Sequence, residues 1–139
     1  MSVWSAGYVS DLPYTYGFYR EFSPGVLRLA TLARGLDQSA EIQSFCELGC
    51  GQGFSANLLA AANPQVSFHA TDFNPTQIAG ARLLATQGGL KNIHFYDSAF
   101  ADFVREPNLP ESFDVIALHG IYSWISPENR RHIVDFVSR

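Results

Sequence analysis

Apolar residues in this chain come in short runs, and the runs switch between two spacings. Ile42-Gln43-Ser44-Phe45-Cys46-Glu47-Leu48 is mostly apolar and stops at Gly49, the pattern of a strand buried on both faces. Gly49-Cys50-Gly51-Gln52-Gly53 then makes a glycine turn, and Phe54 to Ala62 follows as a helix carrying Leu58, Leu59 and a cluster of alanines. Asn63-Pro64 ends that helix, because the residue before a proline is driven out of the helical region. Val66-Ser67-Phe68-His69-Ala70-Thr71 reads as a second strand, closed by Asp72. Asn74-Pro75 pairs a capping side chain with a proline at the first helical position, and the helix runs from about Pro75 to Gln87, where Gly88-Gly89 stops it. A third strand is Ile93-His94-Phe95-Tyr96, ending at Asp97; Ala99 to Arg105 is a short helix, and Pro107 and Pro110 force a loop. Phe113-Asp114-Val115-Ile116-Ala117-Leu118 is a fourth strand, and Ser126-Pro127 caps a last helix striped by Ile133, Phe136 and Val137. Upstream, Ser23-Pro24 starts a helix from about Pro24 to Arg34, with Gly35 as its stop. Strands alternating with helices predict a parallel sheet with helices on its faces.

Composition changes this picture little but excludes several functions. The 139 residues make about one domain, long enough to bury a core without a metal or disulfide staple. Hydrophobic residues reach 47% and charged ones only 16%, against a usual charged share of about 25%. Disorder is therefore not expected, and a surface partly covered by something else is. The net charge of −4 comes from 13 acids and 9 bases, with Lys91 the single lysine. There is no basic run, so no nucleic-acid footprint is expected. No apolar stretch reaches the roughly 18 residues of a membrane helix, and Met1 to Ser5 has no signal-peptide character. Two cysteines, Cys46 and Cys50, do not make a disulfide framework. Reduced thiols and a cytoplasmic location follow as the expectation.

The chemistry concentrates at the first strand, its glycine turn and the helix beyond. Glycines let a backbone take positive φ and let a ligand come close, and a helix N-terminus offers unpaired N–H groups and a positive dipole end. Ligands of open parallel sheets bind outside the carboxyl ends of the strands. Asp72 ends the second strand roughly 20 residues on, the place for a carboxylate that accepts from ribose hydroxyls and faces a cleft. The nicotinamide fingerprint is Gly-x-Gly-x-x-Gly; here the spacing is Gly-x-Gly-x-Gly, position 54 is Phe, and Glu47 lies two before the first glycine.

Glu47-Leu48-Gly49-Cys50-Gly51-Gln52-Gly53 resembles the first motif of the class I S-adenosylmethionine-dependent methyltransferases, Glu/Asp-x-Gly-x-Gly-x-Gly. Asp72 matches the acid of the second motif, Asp97 with Ser98 and Ala99 the third, and Phe113-Asp114-Val115-Ile116 running into His119-Gly120 the fourth. The resemblance covers about residues 40–139 and implies a Rossmann-like open parallel sheet, of which four strands of a seven-strand order 3-2-1-4-5-7-6 are found. It thereby implies the cofactor-binding half of a methyltransferase, a single domain with residues 1–38 as a lid segment and helix and 40–139 as the core. The implied cofactor is S-adenosylmethionine. The implied roles are Gly49, Cys50, Gly51 and Gly53 beside its methionine part, Glu47 ordering that loop near the ammonium group, and Asp72 on the ribose. Phe73 and Asn74 would flank the adenine, Asp97 would accept from its amino group, and the Ser98 N–H would serve a ring nitrogen beside Ala99. His119 and Gly120 would lie near the sulfonium through backbone atoms. Pro13-Tyr14-Thr15-Tyr16-Gly17-Phe18-Tyr19-Arg20 is similar to the lead-in of a bacterial subgroup with protein-lysine methyltransferase-like members, which would make a protein side chain the acceptor.

Other candidates have plainer readings beside them. Tyr14 and Tyr16, with Phe18 and Tyr19, form either a lid over the cofactor or a packed cover on the sheet; a ring with a polar tip suits both. His119 is a base for the acceptor or, as we favour, a strand-end histidine that offers only backbone. Tyr122 and Trp124 frame an acceptor site or pack beneath the last helix. Cys46 reads as an inert core thiol. His69, His94, His119 and His132 lie on separate elements without ligand spacing, so no metal is expected. Asp114, at the start of the fourth strand, has no assigned role. Beside methyl transfer stand two alternatives, a non-catalytic S-adenosylmethionine-binding module on the same fold and an NAD-dependent oxidoreductase.

Overall fold

The computed structural model describes residues 16–36 and 40–139, so Tyr14 lies outside the described residues. Four strands form one parallel sheet: β1 (Ser44–Leu48), β2 (Ser67–Asp72), β3 (Ile93–Asp97) and β4 (Val115–Leu118), in the order β3-β2-β1-β4. The helices are α1 (Pro24–Ala33), α2 (Phe54–Ala62), α3 (Pro75–Gln87), α4 (Phe100–Phe103) and α5 (Pro127–Val137). A 3-10 turn, Arg20–Phe22, leads into α1.

Side chains alternate across a strand, and β1 shows what that does here. Phe45 enters one apolar layer with Phe22, Leu59, Val66 and Phe68, while its neighbour Cys46 enters the opposite layer with Phe103, Ile125, Ile133 and Phe136. Ala56, Ala70, Ile78, Ala81 and Phe95 extend the first face under α3. Helices thus cover both faces of the sheet, as the alternation of elements requires. Phe45, Phe68 and Phe103 are each about 1% exposed, and full burial of such a ring contributes roughly 1.5–3 kcal/mol.

Local chemistry sets the ends of the elements. The Asn74 side chain accepts from the N–H groups of Thr76 (3.0 Å) and Gln77 (3.4 Å), and Ser126 accepts from Asn129 N–H (3.2 Å). Ser23 makes no such capping bond, and α1 rests on Pro24 at its first position instead. β1 begins at Ser44 rather than Ile42 and β4 at Val115 rather than Phe113. One carboxylate explains both: Asp114 Oδ2 accepts from the N–H groups of Gln43 and Ser44 at 2.9 Å and from the Ser44 hydroxyl at 3.0 Å. α4 closes at Phe103, short of the expected Arg105.

Candidate functional site

The carboxyl ends of β1 and β2 meet the glycine turn. Gly49 N–H and Cys50 N–H both donate to the Thr71 carbonyl, at 2.9 and 3.0 Å, which holds the turn against β2. Gly49 has φ +74°, and a Cβ there would meet Ile121 at 2.9 Å. Gly53 has φ +65°, and its Cβ would sit 2.5 Å from Ala81 Cβ and 2.9 Å from Phe95. Gly53 is thus a packing glycine, seating α2 on α3 and β3, and it does not line the cleft beside the turn.

That cleft, about 220 Å3, is lined by Glu47, Gly49, Cys50, Gly51, His119 and Gly120 among the expected residues. Gly17, Tyr19, Gln52, Phe54, Ser55 and Ile121 complete it. Glu47 is 5% exposed, and its Oε2 is buried without a hydrogen-bond partner. Burial, and then the nearby Asp72, push its carboxyl up to about 8. Burial, and then the same two carboxyl groups, hold the Cys50 thiol well above its ordinary range.

Asp72 ends β2 as expected, but it is more buried and more engaged than a carboxylate facing a cleft. It is 6% exposed, and both carboxylate oxygens already accept backbone N–H groups, Oδ2 from Gly51 and Oδ1 from Asn74, each at 2.9 Å. Its first job is therefore to tie the glycine turn of β1 to the start of α3. Burial raises its pKa, those N–H donors oppose the rise, and Asp97 adds to it. The Phe73 backbone N–H also favours the charged carboxylate.

Asp97 pairs in register with Asp72 and is exposed, while Phe73 and Ala99 pack against the apolar layer near Tyr96. Asn74 is committed to capping α3. The Ser98 amide, expected to be free for a ligand, instead donates to the Asp72 carbonyl at 3.3 Å, continuing the ladder one residue past β3. Its hydroxyl donates to Glu106 Oε1 at 2.7 Å.

His119 offers more than backbone. Its ring stacks on Tyr19, centroids 3.9 Å apart and planes at 33°, and its Nε2 lies 3.9 Å from Glu21 Oε1. Tyr16 is 69% exposed and meets Phe54 edge-on at 6.1 Å. Tyr122 and Trp124 are exposed beyond β4. Ser55 was given no role by the sequence; it is the one hydroxyl in an alanine- and leucine-rich helix, and that is the signal that marks it.

A wider cleft of about 630 Å3 lies at the β3 edge, away from the glycine turn. There His69 and His94 approach to 4.9 Å between rings, although they sit on different strands. Ser67 Oγ and Tyr96 OH occupy the two ring nitrogens of His69, at 3.2 and 2.9 Å, and burial lowers its pKa to about 4. No helix among the described residues is long and apolar enough to cross a membrane.

A family model described as a methyltransferase domain matches residues 41–136. An uncharacterised protein of Synechocystis is 50% identical over 137 residues, covering 96% of this chain and 26% of that protein. A malonyl-[acyl-carrier protein] O-methyltransferase of Bacillus anthracis is 31% identical over 98 residues, covering 70% of this chain and 34% of that enzyme. Among solved structures, PKMT2 from Rickettsia typhi in complex with AdoHcy superposes with a TM-score of 0.80 at 24% identity, over 91% of this chain and 24% of that one. The chain thus spans between about a quarter and a half of the length of the relatives it matches.

Proposed function

The chain belongs to the methyltransferase domain family, and from that premise we propose that it holds S-adenosylmethionine at the carboxyl ends of β1 and β2, as the cofactor-binding part of an enzyme that methylates a nucleophilic acceptor. One observation carries the reading: Glu47 Oε2 is a buried acceptor with no partner, set in the cleft beside the glycine turn. A buried polar atom without a partner is costly, and an ammonium group, which the methionine part of this cofactor carries, satisfies it.

When bound, the cofactor supplies a methyl group already activated by a sulfonium, so the protein contributes proximity and orientation. Gly49, Cys50 and Gly51 bring backbone to the methionine part. Asp72, at the carboxyl end of β2, would be the carboxylate that accepts from the ribose hydroxyls. Phe73, Asn74, Asp97, Ser98 and Ala99 form the adenine side, with the Asp97 carboxylate as its open acceptor. His119 and Gly120 line the cleft and Tyr16 lies against Phe54 beside it, which makes this the side where the acceptor would enter. A protein side chain is the acceptor class that the Pro13–Arg20 lead-in favours. Cys46 and Cys50 are both free thiols, in keeping with a cytoplasmic site of action.

Calorimetry tests the reading. S-adenosylhomocysteine is expected to give a saturating binding isotherm, with NAD silent at the same concentration. Tight NAD binding without a response to S-adenosylhomocysteine would end it.

A further inference from the structure

We propose that Ser55 pins a strap, Gly17 to Tyr19, across the cofactor cleft, and that this pin sets how fast a bound ligand leaves. The inference rests on the cofactor reading above and adds Ser55, which none of the expected motif positions includes, as the anchor of the Gly17–Tyr19 part of the lead-in. Ser55 lies in the first turn of α2, directly after the glycine turn, and is 4% exposed. Its single hydroxyl is used twice: it donates to the Gly17 carbonyl at 2.9 Å and accepts from the Tyr19 N–H at 2.8 Å. Those two bonds tie backbone more than 30 residues away in sequence to the helix whose N-terminus faces the cleft.

From this pin the strap crosses to the other side. The Tyr19 ring stacks on His119, beyond the end of β4, so the segment is fastened at α2 and rests on the β4 side. Gly17 and Tyr19 line the same cleft as Glu47 and Gly49. Around them the Tyr16 and Phe18 side chains are 69% and 50% exposed, and the Tyr19 ring is the part of the strap that also packs on the buried layer, beside Phe22. A segment with few buried contacts opens at low cost. Ligand exchange through this wall therefore goes by breaking the two Ser55 bonds and lifting Tyr19 from His119. Ser55 acts through the strap and is a positioning residue; Tyr19 is the wall itself.

The test compares the whole chain with Ser55→Ala, Tyr19→Ala and Tyr19→Phe. Dissociation of S-adenosylhomocysteine is followed by stopped-flow displacement, association separately, and amide exchange across residues 16–22. Ser55→Ala removes both bonds and is expected to speed dissociation about tenfold or more. Association should change about twofold or less, and exchange should rise in 16–22 but not in β2 or β3. Tyr19→Ala should release ligand similarly fast, with Tyr19→Phe restoring the slow rate because the ring remains. If Ser55→Ala does not fold, Tyr19→Ala against Tyr19→Phe decides. A parent chain that does not bind S-adenosylhomocysteine overturns the cofactor reading and this inference with it. A parent that binds, with dissociation from Ser55→Ala and Tyr19→Ala within twofold of it, overturns the strap alone.

Discussion

Glu47 is a carboxyl group kept neutral by its surroundings, and that gives it a signature in pH. Its pKa in the folded chain, about 8, lies above the ordinary 4.5. Between those two values the folded state keeps a proton that the unfolded state has lost, so stability falls as pH rises through this window. Glu47→Gln keeps the shape and removes the titration. Its melting temperature is expected to vary less from pH 5 to pH 8 and to exceed the parent's at pH 8, by on the order of a few kcal/mol in stability. Thermal melts at several pH values check this; parallel curves for the two proteins would contradict it. Asp72 is a different case, because it works for the fold as well as for the ligand. Asp72→Ala removes the acceptor of two N–H groups, Gly51 and Asn74, and leaving a buried donor unpaired costs about 1–3 kcal/mol. The variant is therefore expected to melt lower, where its sequence position at a cleft edge suggested an unchanged fold. It should also weaken S-adenosylhomocysteine binding roughly thirty-fold to a thousand-fold, about 2–4 kcal/mol. Calorimetry at a temperature where the variant remains folded separates the two effects, and parent-like affinity would withdraw the ribose assignment.

The elements themselves were readable, and the reason is local. Asn74-Pro75, Ser126-Pro127 and Gly88-Gly89 act within a few residues of where they stand, so starts and stops of α3 and α5 follow from adjacent side chains. The misplaced boundaries have distant causes. Asp114 shortens β1 and β4 together by bonding Gln43 and Ser44, about 70 positions upstream in sequence, and no local pattern carries that. The same distance hid Ser55, whose partners are Gly17 and Tyr19, and the second duty of Asp72. The packing duty of Gly53 was hidden too, because spacing does not say which way a Cβ would point; here it points at Ala81. Asp114 yields a prediction at this scale. Asp114→Ala frees the start of β1 from β4 and is expected to lower stability by about 1 kcal/mol, modest because water replaces an exposed acceptor. The backbone N–H of Gln43 is the chief cause that holds its pKa below 3.8. The contribution is thus present above that value and lost as pH falls through the lower folded one. Denaturant melts at pH 7 and pH 3 should show the variant and parent converging at acid pH, and an undiminished gap at pH 3 would refute the assignment.

The whole molecule is one sheet with helices on both faces and its chemistry at one end. Glu47, the glycine turn and His119 just past β4 line one cleft, and Asp72 at the end of β2 bonds Gly51 of that turn, because β1 lies between β2 and β4. Val26, Leu29 and Leu32 of α1 are exposed, in keeping with a chain that is 47% hydrophobic. Two clefts compete for a ligand at this scale, the 220 Å3 one at the glycine turn and the 630 Å3 one at the β3 edge. Size favours the second, but its buried histidine already has both nitrogens occupied, while the first contains a buried acceptor with none. A crystal structure of the chain grown with S-adenosylhomocysteine decides between them. The ligand is expected in the glycine-turn cleft, with its ammonium group on Glu47 Oε2 and its ribose hydroxyls on Asp72. Density for it at the β3 edge, or in the glycine-turn cleft with its ammonium turned away from Glu47, would contradict the account.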